Sequence, residues 1–316
     1  MVTSGEMSPG DERSGRLTIE CARLGVTGPF RGRGWQMFLR RVVPTTLFVA
    51  TVGTSLVAGR SLMGAGGNDS LWSLGWGIPY AACVLLAIGA HAFGHYIAAR
   101  RSGVDAYPPY FVPALSAFGI AGAYVKLSWP VAGRRAMCRI FAAGPIAGFA
   151  VSAALLLLGT ALSEDAPRQS VAGLRLGDSL LTLGVERLLF PHMPESNEVV
   201  LHPVGLAGYL GLFFNLWHLF PAGRLDGGRV VYALWGYRRS LAVSWITIVA
   251  LALIGMIWPG WWIMSIFAAL TMIRLRRQHP IDRHEGRLDP ATVGSVWLML
   301  AVLLITFVPV PVKGGP

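Results

Sequence analysis

Long stretches without a charged residue constrain the fold of this chain more than any other feature. A membrane-spanning helix needs about 18 or more consecutive apolar residues. Only 14% of the 316 residues are charged, against about 25% in soluble domains. Six stretches of sufficient length contain no Asp, Glu, Lys or Arg: residues 42–59, 70–99, 140–163, 199–223, 240–273 and 290–312. The sequence therefore predicts a protein whose surroundings are largely lipid.

The distribution of arginine predicts how the chain is oriented. A net charge of +11 could suggest nucleic-acid binding, but the arginines are concentrated in short loops between the apolar stretches. Membrane proteins keep such basic loops in the cytoplasm. We therefore expect no nucleic-acid partner, and we place the N-terminus in the cytoplasm. The three cysteines, Cys21, Cys83 and Cys138, have no metal-ligand spacing and predict no disulfide.

The stretches and their flanking charges predict an all-α polytopic membrane protein with about seven transmembrane segments. The exception is residues 107–125, which contain three prolines and two glycines between basic flanks. Prolines at that density exclude a continuous helix, so we expect a re-entrant hairpin or a small β-sheet, shielded from lipid by protein. The predicted segments are residues 42–59, 74–99, 136–162 and 203–220, two short spans within 240–273 separated at Pro259 and Gly260, and residues 292–308.

One polar segment is predicted to lie outside the membrane. Residues 163–200 contain six acidic residues and suit an external loop. Within the loop, residues 179–190 have the apolar spacing of an amphipathic helix that could lie along the membrane surface.

Two histidines in the second apolar stretch are the first candidates for chemistry. His91 and His95 are four residues apart, so on a helix both imidazoles lie on one face and can reach one ion. Polar groups at that depth in a membrane are costly and usually functional. Their spacing is equally compatible with two histidines that only form hydrogen bonds to neighbouring helices.

Asp226 is the candidate for a third ligand. It lies in the segment Pro-Ala-Gly-Arg-Leu-Asp-Gly-Gly that follows the fourth predicted span. Pro221 ends that span, and the two glycines after Asp226 allow close approach of the backbone. Two histidines and one carboxylate form a catalytic zinc set with a fourth position open. Asp226 could also cap the helix predicted over residues 227–235, and the two roles are compatible.

Several motifs resemble those of site-2 proteases, a family of intramembrane zinc metalloproteases. Residues 91–100 (HAFGHYIAAR) resemble the family's H-E-x-G-H-Y-x-x-A-R run, with alanine in place of glutamate. Residues 144–149 (GPIAGF) resemble the small-residue motif of its next core span, and residues 107–126 resemble its re-entrant segment. Residues 202–211 (HPVGLAGYLG) and 221–228 (PAGRLDGG) resemble the part that supplies the third ligand. The motifs occur in the family's order.

The resemblance implies a metal site and an activity. It implies a three-helix catalytic core with one zinc ion per chain, held by His91, His95 and Asp226. It further implies hydrolysis of peptide bonds within the bilayer, on membrane-anchored proteins such as anti-sigma factors or transcription-factor precursors. The re-entrant segment would offer an edge to an unwound substrate by strand addition. No segment is long enough for an inserted PDZ domain or a pair of CBS modules, so we expect the compact form of the family.

The motifs also predict the domain organisation. Residues 1–41 are expected to be a cytoplasmic, largely disordered segment with a basic flank, and residues 42–73 the first span with its outer loop. Residues 74–237 would form the metalloprotease core, and residues 238–316 the C-terminal spans. The expected location is a bacterial inner membrane. The sequence predicts no particular oligomeric state.

Two positions depart from the family pattern. Ala92 occupies the position of the glutamate that acts as general base and acid, a contribution of about 10²–10⁴-fold in rate. The chain as written is therefore expected to bind zinc and to be inactive or nearly so. His218 replaces an asparagine that is thought to contact the substrate or the developing oxyanion. His218 could still donate a hydrogen bond, and Asn215, nearly one turn earlier on the same face, is the alternative residue for this contact.

Three interpretations of the function remain. The first is a zinc endopeptidase whose glutamate was deliberately replaced, which the intact ligand set favours. The second is a natural pseudoprotease that binds membrane proteins without cutting them, which the paired departures at Ala92 and His218 favour. The third is a transporter whose intramembrane histidines bind a carried ion. The sequence shows no inverted repeat, and the ordered motifs favour a protease.

Overall fold

A computed structural model describes residues 42–62, 77–116, 118–128, 133–167, 175–273 and 288–313. By its internal contacts the chain divides into two units, Met1–Thr46 and Leu47–Pro316. Of the first unit only residues 42–46 are described, and they belong to the beginning of a helix. The disordered segment predicted for residues 1–41 lies outside the described residues, and the predicted domain boundaries remain predictions.

The described residues are mostly helical, as predicted. Prolines occupy the first turn of α2, α5 and α8, where the missing N–H has no helical partner to lose. The helices are α1 (Val43–Leu62), α2 (Ile78–Arg101), α3 (Arg134–Ala161), α4 (Leu180–Leu189), α5 (Pro203–Leu219), α6 (Asp226–Ile254), α7 (Gly260–Ile273) and α8 (Pro290–Thr306).

Three of the described helices, α2, α3 and α6, are long and apolar enough to cross a membrane. Two shorter apolar helices, Gly260–Met272 and Pro290–Thr306, fall below the length of an ordinary span. The prediction of a helical protein with membrane-spanning helices is thus confirmed. Helix length and composition do not establish the predicted number of about seven spans.

Helices α2, α3 and α5 pack closely because small residues line their contacts. A Cβ added at Gly94 of α2 would lie 2.5 Å from the carbonyl oxygen of Ala143 in α3. A Cβ at Gly208 of α5 would collide with the backbone of Leu156 in α3, and one at Gly159 would collide with Gly205. Small residues at such contacts let helix backbones approach within a membrane. The close packing brings side chains from three helices to one place.

Residues 107–125 form the small sheet that was one of the two predicted forms. Strand β1 (Tyr110–Pro113) pairs antiparallel with β2 (Ile120–Tyr124), with Tyr110 opposite Tyr124. The turn between the strands is held by its backbone carbonyls. Thr54 of α1 donates its hydroxyl to the carbonyl of Gly119 (2.6 Å), and Tyr80 of α2 donates to that of Phe118 (3.0 Å). The sheet is therefore anchored to two helices.

The described part of the acidic loop contains strands that the sequence did not indicate. Strand β3 (Glu164–Pro167) pairs with β5 (Asn197–Val200), and the predicted amphipathic helix is present as α4. A capping box between Ser179 and Thr182 begins this helix. Strand β4 (Arg175–Leu176) pairs with β6 (Val312–Lys313) near the far end of the chain.

Helix α6 consists of two helical segments, as the sequence indicated for the C-terminal half. The sequence predicted a helix over residues 227–235 and a separate span from residue 240, and α6 (Asp226–Ile254) is interrupted between them by non-helical backbone at Gly236. Gly236 has φ 78°, a conformation that glycine adopts at little cost. Arg134 donates two hydrogen bonds to the carbonyls of Ala233 and Leu234 beside the kink (2.9 and 3.1 Å). The predicted break near Pro259 is present as the turn between α6 and α7.

Candidate metal centre

The two histidines of α2 lie side by side in the interior of the protein. His91 and His95 are both buried, and their Nε2 atoms are 3.1 Å apart. One turn of helix separates them, so their rings lie on the same face of α2. The predicted arrangement of two imidazoles that can reach one ion is therefore present.

Asp226 meets both histidines from the beginning of α6. Its Oδ2 lies 3.2 Å from Nε2 of His91 and 3.1 Å from Nε2 of His95. The helix is not capped by Asp226, because Leu225 occupies the capping position and Asp226 is the first helical residue. A Cβ at Gly227 would collide with the carbonyl oxygen of Leu219. The glycines after Asp226 thus let α6 begin directly against the end of α5, as the sequence indicated.

Each histidine is oriented by a hydrogen bond at its other ring nitrogen. Nδ1 of His95 is 2.8 Å from the carbonyl oxygen of Ile140, which can only accept, so this nitrogen carries the proton. Nδ1 of His91 is 2.8 Å from Oδ1 of Asn215, whose Nδ2 donates to the carbonyl of Pro145 (3.0 Å). The amide therefore presents an acceptor to His91. Neutral imidazoles held in this way carry their lone pairs on Nε2.

The convergent atoms fit a divalent metal ion. When both histidines are neutral, their Nε2 atoms and one carboxylate oxygen of Asp226 lie 3.1–3.2 Å apart in a buried site. The Nε2 lone pairs then face this oxygen with no proton between them. Zinc bonded to nitrogen and oxygen at about 2.0–2.2 Å in a tetrahedron separates its donors by roughly 3.3–3.6 Å. The donor types of His91, His95 and Asp226 are thus those of a zinc site with a fourth position, and their spacing is slightly shorter than in a zinc tetrahedron. Hydrogen bonding of Nδ1 to a carbonyl or amide is also typical of zinc-bound histidine.

The GPIAGF segment of α3 contributes space to the site. A Cβ at Gly144 would collide with the imidazole of His95. A Cβ at Gly148 would lie 2.9 Å from Cβ of His91 and 3.1 Å from Oδ1 of Asn215. Both glycines let the backbone of α3 pass directly behind the ligands, which is the physical reason for small residues in this motif.

The other predicted site residues, Ala92, Asn215 and His218, differ from one another in burial and in hydrogen bonding. Ala92 is buried on α2 beside the ligands and offers only a methyl group. Asn215 is 1% exposed and engaged at both ends of its amide. This side chain supports His91, and the suggested substrate contact at Asn215 stays a prediction. His218 is 31% exposed, and its Nδ1 lies 3.3 Å from Oδ2 of Asp226.

Sequence reasoning missed a cation that stabilises the segment before Asp226. Arg229 lies one turn after Asp226 on α6 and places its guanidinium 4.3 Å from the ring centroid of Phe141. Its Nε donates to the carbonyl of Arg224 (2.9 Å). The ring of Phe141 in turn lies 5.8 Å from that of His95. The three-residue spacing from Asp226 is the only sign of this role in the sequence.

Comparison with known proteins agrees with this site. The model of peptidase family M50 matches residues 79–258, more than half of the chain. The probable zinc metalloprotease EGY2, chloroplastic, of Oryza sativa subsp. indica is 34% identical over 186 residues, which are 57% of this chain and 33% of that protein. For the Arabidopsis thaliana protein of the same name, the identity is 31% over 187 residues, 58% of this chain and 34% of that protein.

A further relative is the probable zinc metalloprotease EGY1, chloroplastic, of Arabidopsis thaliana, which is 30% identical over 181 residues, 56% of this chain and 33% of that protein. The chain spans about a third of the length of these curated relatives. No solved structure matches it. The family match covers the two histidines, the small-residue segment of α3 and Asp226, and the chain therefore belongs to peptidase family M50, the site-2 proteases.

Proposed function

We propose that this protein is an intramembrane zinc metalloendopeptidase scaffold that receives membrane-anchored proteins and lacks the catalytic base. The observation that carries the proposal is the convergence of two Nε2 atoms and one carboxylate oxygen at 3.1–3.2 Å, between helices apolar enough to cross a membrane. Family membership supports the same chemistry.

His91, His95 and Asp226 would hold one zinc ion. Bound zinc supplies Lewis-acid polarisation of the scissile carbonyl and of the attacking water. The role of the protein is to keep the two Nε2 lone pairs and the carboxylate directed at one point. The Nδ1 hydrogen bonds to Asn215 and to Ile140 fix both rings in that orientation.

The small sheet would receive the substrate as an extended strand. A helical substrate has to unwind before a peptide bond becomes accessible, and pairing with an exposed sheet edge satisfies the freed backbone groups. Strand β2 reaches the site, because a Cβ at Gly122 would lie 2.9 Å from the ring of Phe214, which packs against His91 and His218. An added strand would therefore run past the metal site.

Ala92 determines what happens to a bound peptide. Cleavage requires a group that takes a proton from the attacking water and delivers one to the leaving amine. A methyl group can do neither, and Ala92 is buried beside the ligands. We therefore expect zinc binding and substrate binding with little or no cleavage.

The test is to restore the carboxylate. Ala92→Glu should cleave a membrane-tethered substrate in proteoliposomes at a rate about 10²–10⁴-fold above that of the present chain. Ala92→Gln is the matched control, because it has nearly the size of glutamate without the ability to accept a proton, and it should remain inactive. Failure of Ala92→Glu to cleave any of a panel of single-span substrates, with zinc bound, would contradict the endopeptidase proposal.

A pseudoprotease is the second candidate, and one observation favours it. His218, at the position where the family usually has asparagine, faces Asp226 at 3.3 Å, so two positions of the catalytic machinery depart together. In that case the chain would bind membrane proteins in its natural form. Capture of a tethered substrate by the present chain, combined with an inactive Ala92→Glu variant, would be the expected result. The transporter alternative requires metal-dependent uptake into liposomes, which we do not expect.

We further propose a topology of about seven spans with the N-terminus in the cytoplasm, in a bacterial inner membrane. Helices α1, α5, α7 and α8 would supply the spans beyond α2, α3 and α6, with α7 and α8 crossing at reduced length. Residues 74–237 would form the metalloprotease core. Helix α4 would lie along the outer surface, since two of its leucines, Leu180 and Leu188, are exposed.

A further inference from the structure

We propose that His218 holds the carboxylate of Asp226 in its metal-binding orientation and thereby sets the affinity for zinc. The inference rests on the metal site proposed above. It gives His218 a role towards the metal, in place of the substrate or oxyanion contact expected from the sequence.

The geometry places one nitrogen of His218 against the ligand oxygen. Nδ1 of His218 lies 3.3 Å from Oδ2 of Asp226, the same oxygen that faces His91 and His95. The carboxylate side chain is 9% exposed, and that of His218 is 31% exposed. A carboxylate oxygen can accept more than one hydrogen bond or ligand bond, so Nδ1–H of His218 can donate while Oδ2 binds the metal.

The imidazole of His218 is itself held in place by two rings. Its centroid lies 4.7 Å from that of Phe214 and 4.8 Å from that of His91. Phe214 also packs edge-on against His91, with ring centroids 5.8 Å apart. This three-ring cluster limits rotation of His218, so its Nδ1 is directed at Asp226 before any metal binds.

His218 completes a set in which every proposed ligand has one partner that is not a ligand. His91 has Asn215, and His95 has the carbonyl of Ile140. Within the described part of the chain, the polar groups that contact the carboxylate of Asp226 are the two ligand histidines and His218. Removal of such a partner typically costs about 10–100-fold in metal affinity, because the ligand is no longer fixed in its binding orientation.

The direct test is the zinc affinity of the full-length protein, purified in detergent and titrated against a competing zinc indicator. His218→Ala should weaken zinc binding about 10–100-fold. His218→Asn should recover most of that loss, because an amide N–H can donate from a similar position. His192→Ala is the matched control, because His192 is exposed outside the site, and it should leave the affinity unchanged. The thermal unfolding midpoint of each metal-free variant shows whether it has folded.

Two results would overturn the inference. One is an unchanged zinc affinity in folded His218→Ala. The other is a cobalt-substituted absorption spectrum in which His218→Ala loses a nitrogen ligand, since His218 would then bind the metal directly. Asp226→Ala separates this inference from the proposed function. Retention of zinc by Asp226→Ala would refute the site itself, whereas loss of zinc there, with normal binding in His218→Ala, would refute only the role of His218.

Discussion

The amide of Asn215 supports His91, which is 124 positions away in the chain. Replacement by alanine would leave Nδ1–H of His91 without its partner in a buried place, at a cost of about 1–3 kcal/mol. We expect Asn215→Ala to weaken zinc binding about 10–100-fold and to lower the thermal unfolding midpoint. Asn197→Ala, in the outer strand β5, should change neither zinc affinity nor the midpoint by a comparable amount. Normal zinc affinity in folded Asn215→Ala would show that His91 needs no partner.

At the level of single residues, the sequence was informative where chemistry depends on spacing along one helix. Four-residue spacing placed His91 and His95 together, and the motif around Asp226 brought the carboxylate to them. The roles of Asn215 and His218 could not be predicted in the same way. They depend on the rotation of α5 against α2, and positions three residues apart on α5 face different partners, one supporting a histidine and the other a carboxylate.

Among the structural elements, α3 approaches α2 at several glycines, and Gly144 is the one that faces the imidazole of His95. Gly144→Ala would add a Cβ that collides with the imidazole of His95. Either this ligand or helix α3 would therefore have to move. We expect loss of most zinc binding and a lower unfolding midpoint in detergent. Gly184→Ala is the control, because a Cβ at Gly184 of α4 meets open space, and the exchange should stabilise the helix by up to about 1 kcal/mol. Equal behaviour of the two variants would contradict the packing argument.

Asp289 joins the beginnings of α3 and α8. It accepts hydrogen bonds from the hydroxyl of Thr292 (2.7 Å) and from Arg139 (2.9 Å), and it lies 3.1 Å from Arg135. The hydrogen bond from Thr292, followed by that from Arg139, lowers the pKa of Asp289 from its usual 3.8 to about 2. Because the pKa is lowered in the folded state, the carboxylate stabilises the protein above about pH 4 and loses this effect as the pH falls through about 2.

Asp289→Asn should therefore lower the unfolding midpoint at about pH 5, and the difference from the unmodified protein should vanish towards about pH 2. Asp105→Asn is the control. Asp105 pairs with Arg100 at an exposed position, where an ion pair contributes little, so this exchange should have no comparable effect. A pH-independent difference for Asp289→Asn would mean that its ionised form does not join the two helices.

The predicted elements agree best with the structure where the residue composition of a segment alone determines its secondary structure. Prolines and glycines in residues 107–125 excluded a helix, and the sheet β1–β2 is present there. The break within α6 lies at Gly236, between the predicted helix and the predicted span, but its support by Arg134 from another helix could not be predicted. Arg139 forms an ion pair with Asp289, which is 150 positions away in the chain. Such contacts depend on tertiary packing, which no local pattern contains.

For the whole molecule, the distribution of charge predicts the orientation in the membrane. Arginines occupy the ends of α2 and α3 and the middle of α6 next to its kink: Arg100, Arg101, Arg134, Arg135, Arg238 and Arg239. The opposite ends of α3 and α5 are joined through an acidic segment that includes Glu164, Asp165 and Glu195. Basic segments are retained in the cytoplasm, so the two faces of the protein should be on opposite sides of the membrane.

Labelling with a membrane-impermeant maleimide in intact cells tests this orientation. A cysteine at position 195, made by Glu195→Cys in the acidic segment, should be labelled from outside because the residue is exposed. A cysteine made by Arg238→Cys, also exposed and beside the kink of α6, should be labelled only after the membrane is permeabilised. The unmodified chain measures the background from its own cysteines. The reverse labelling pattern would contradict the predicted orientation, because the basic segments would then lie outside the cytoplasm.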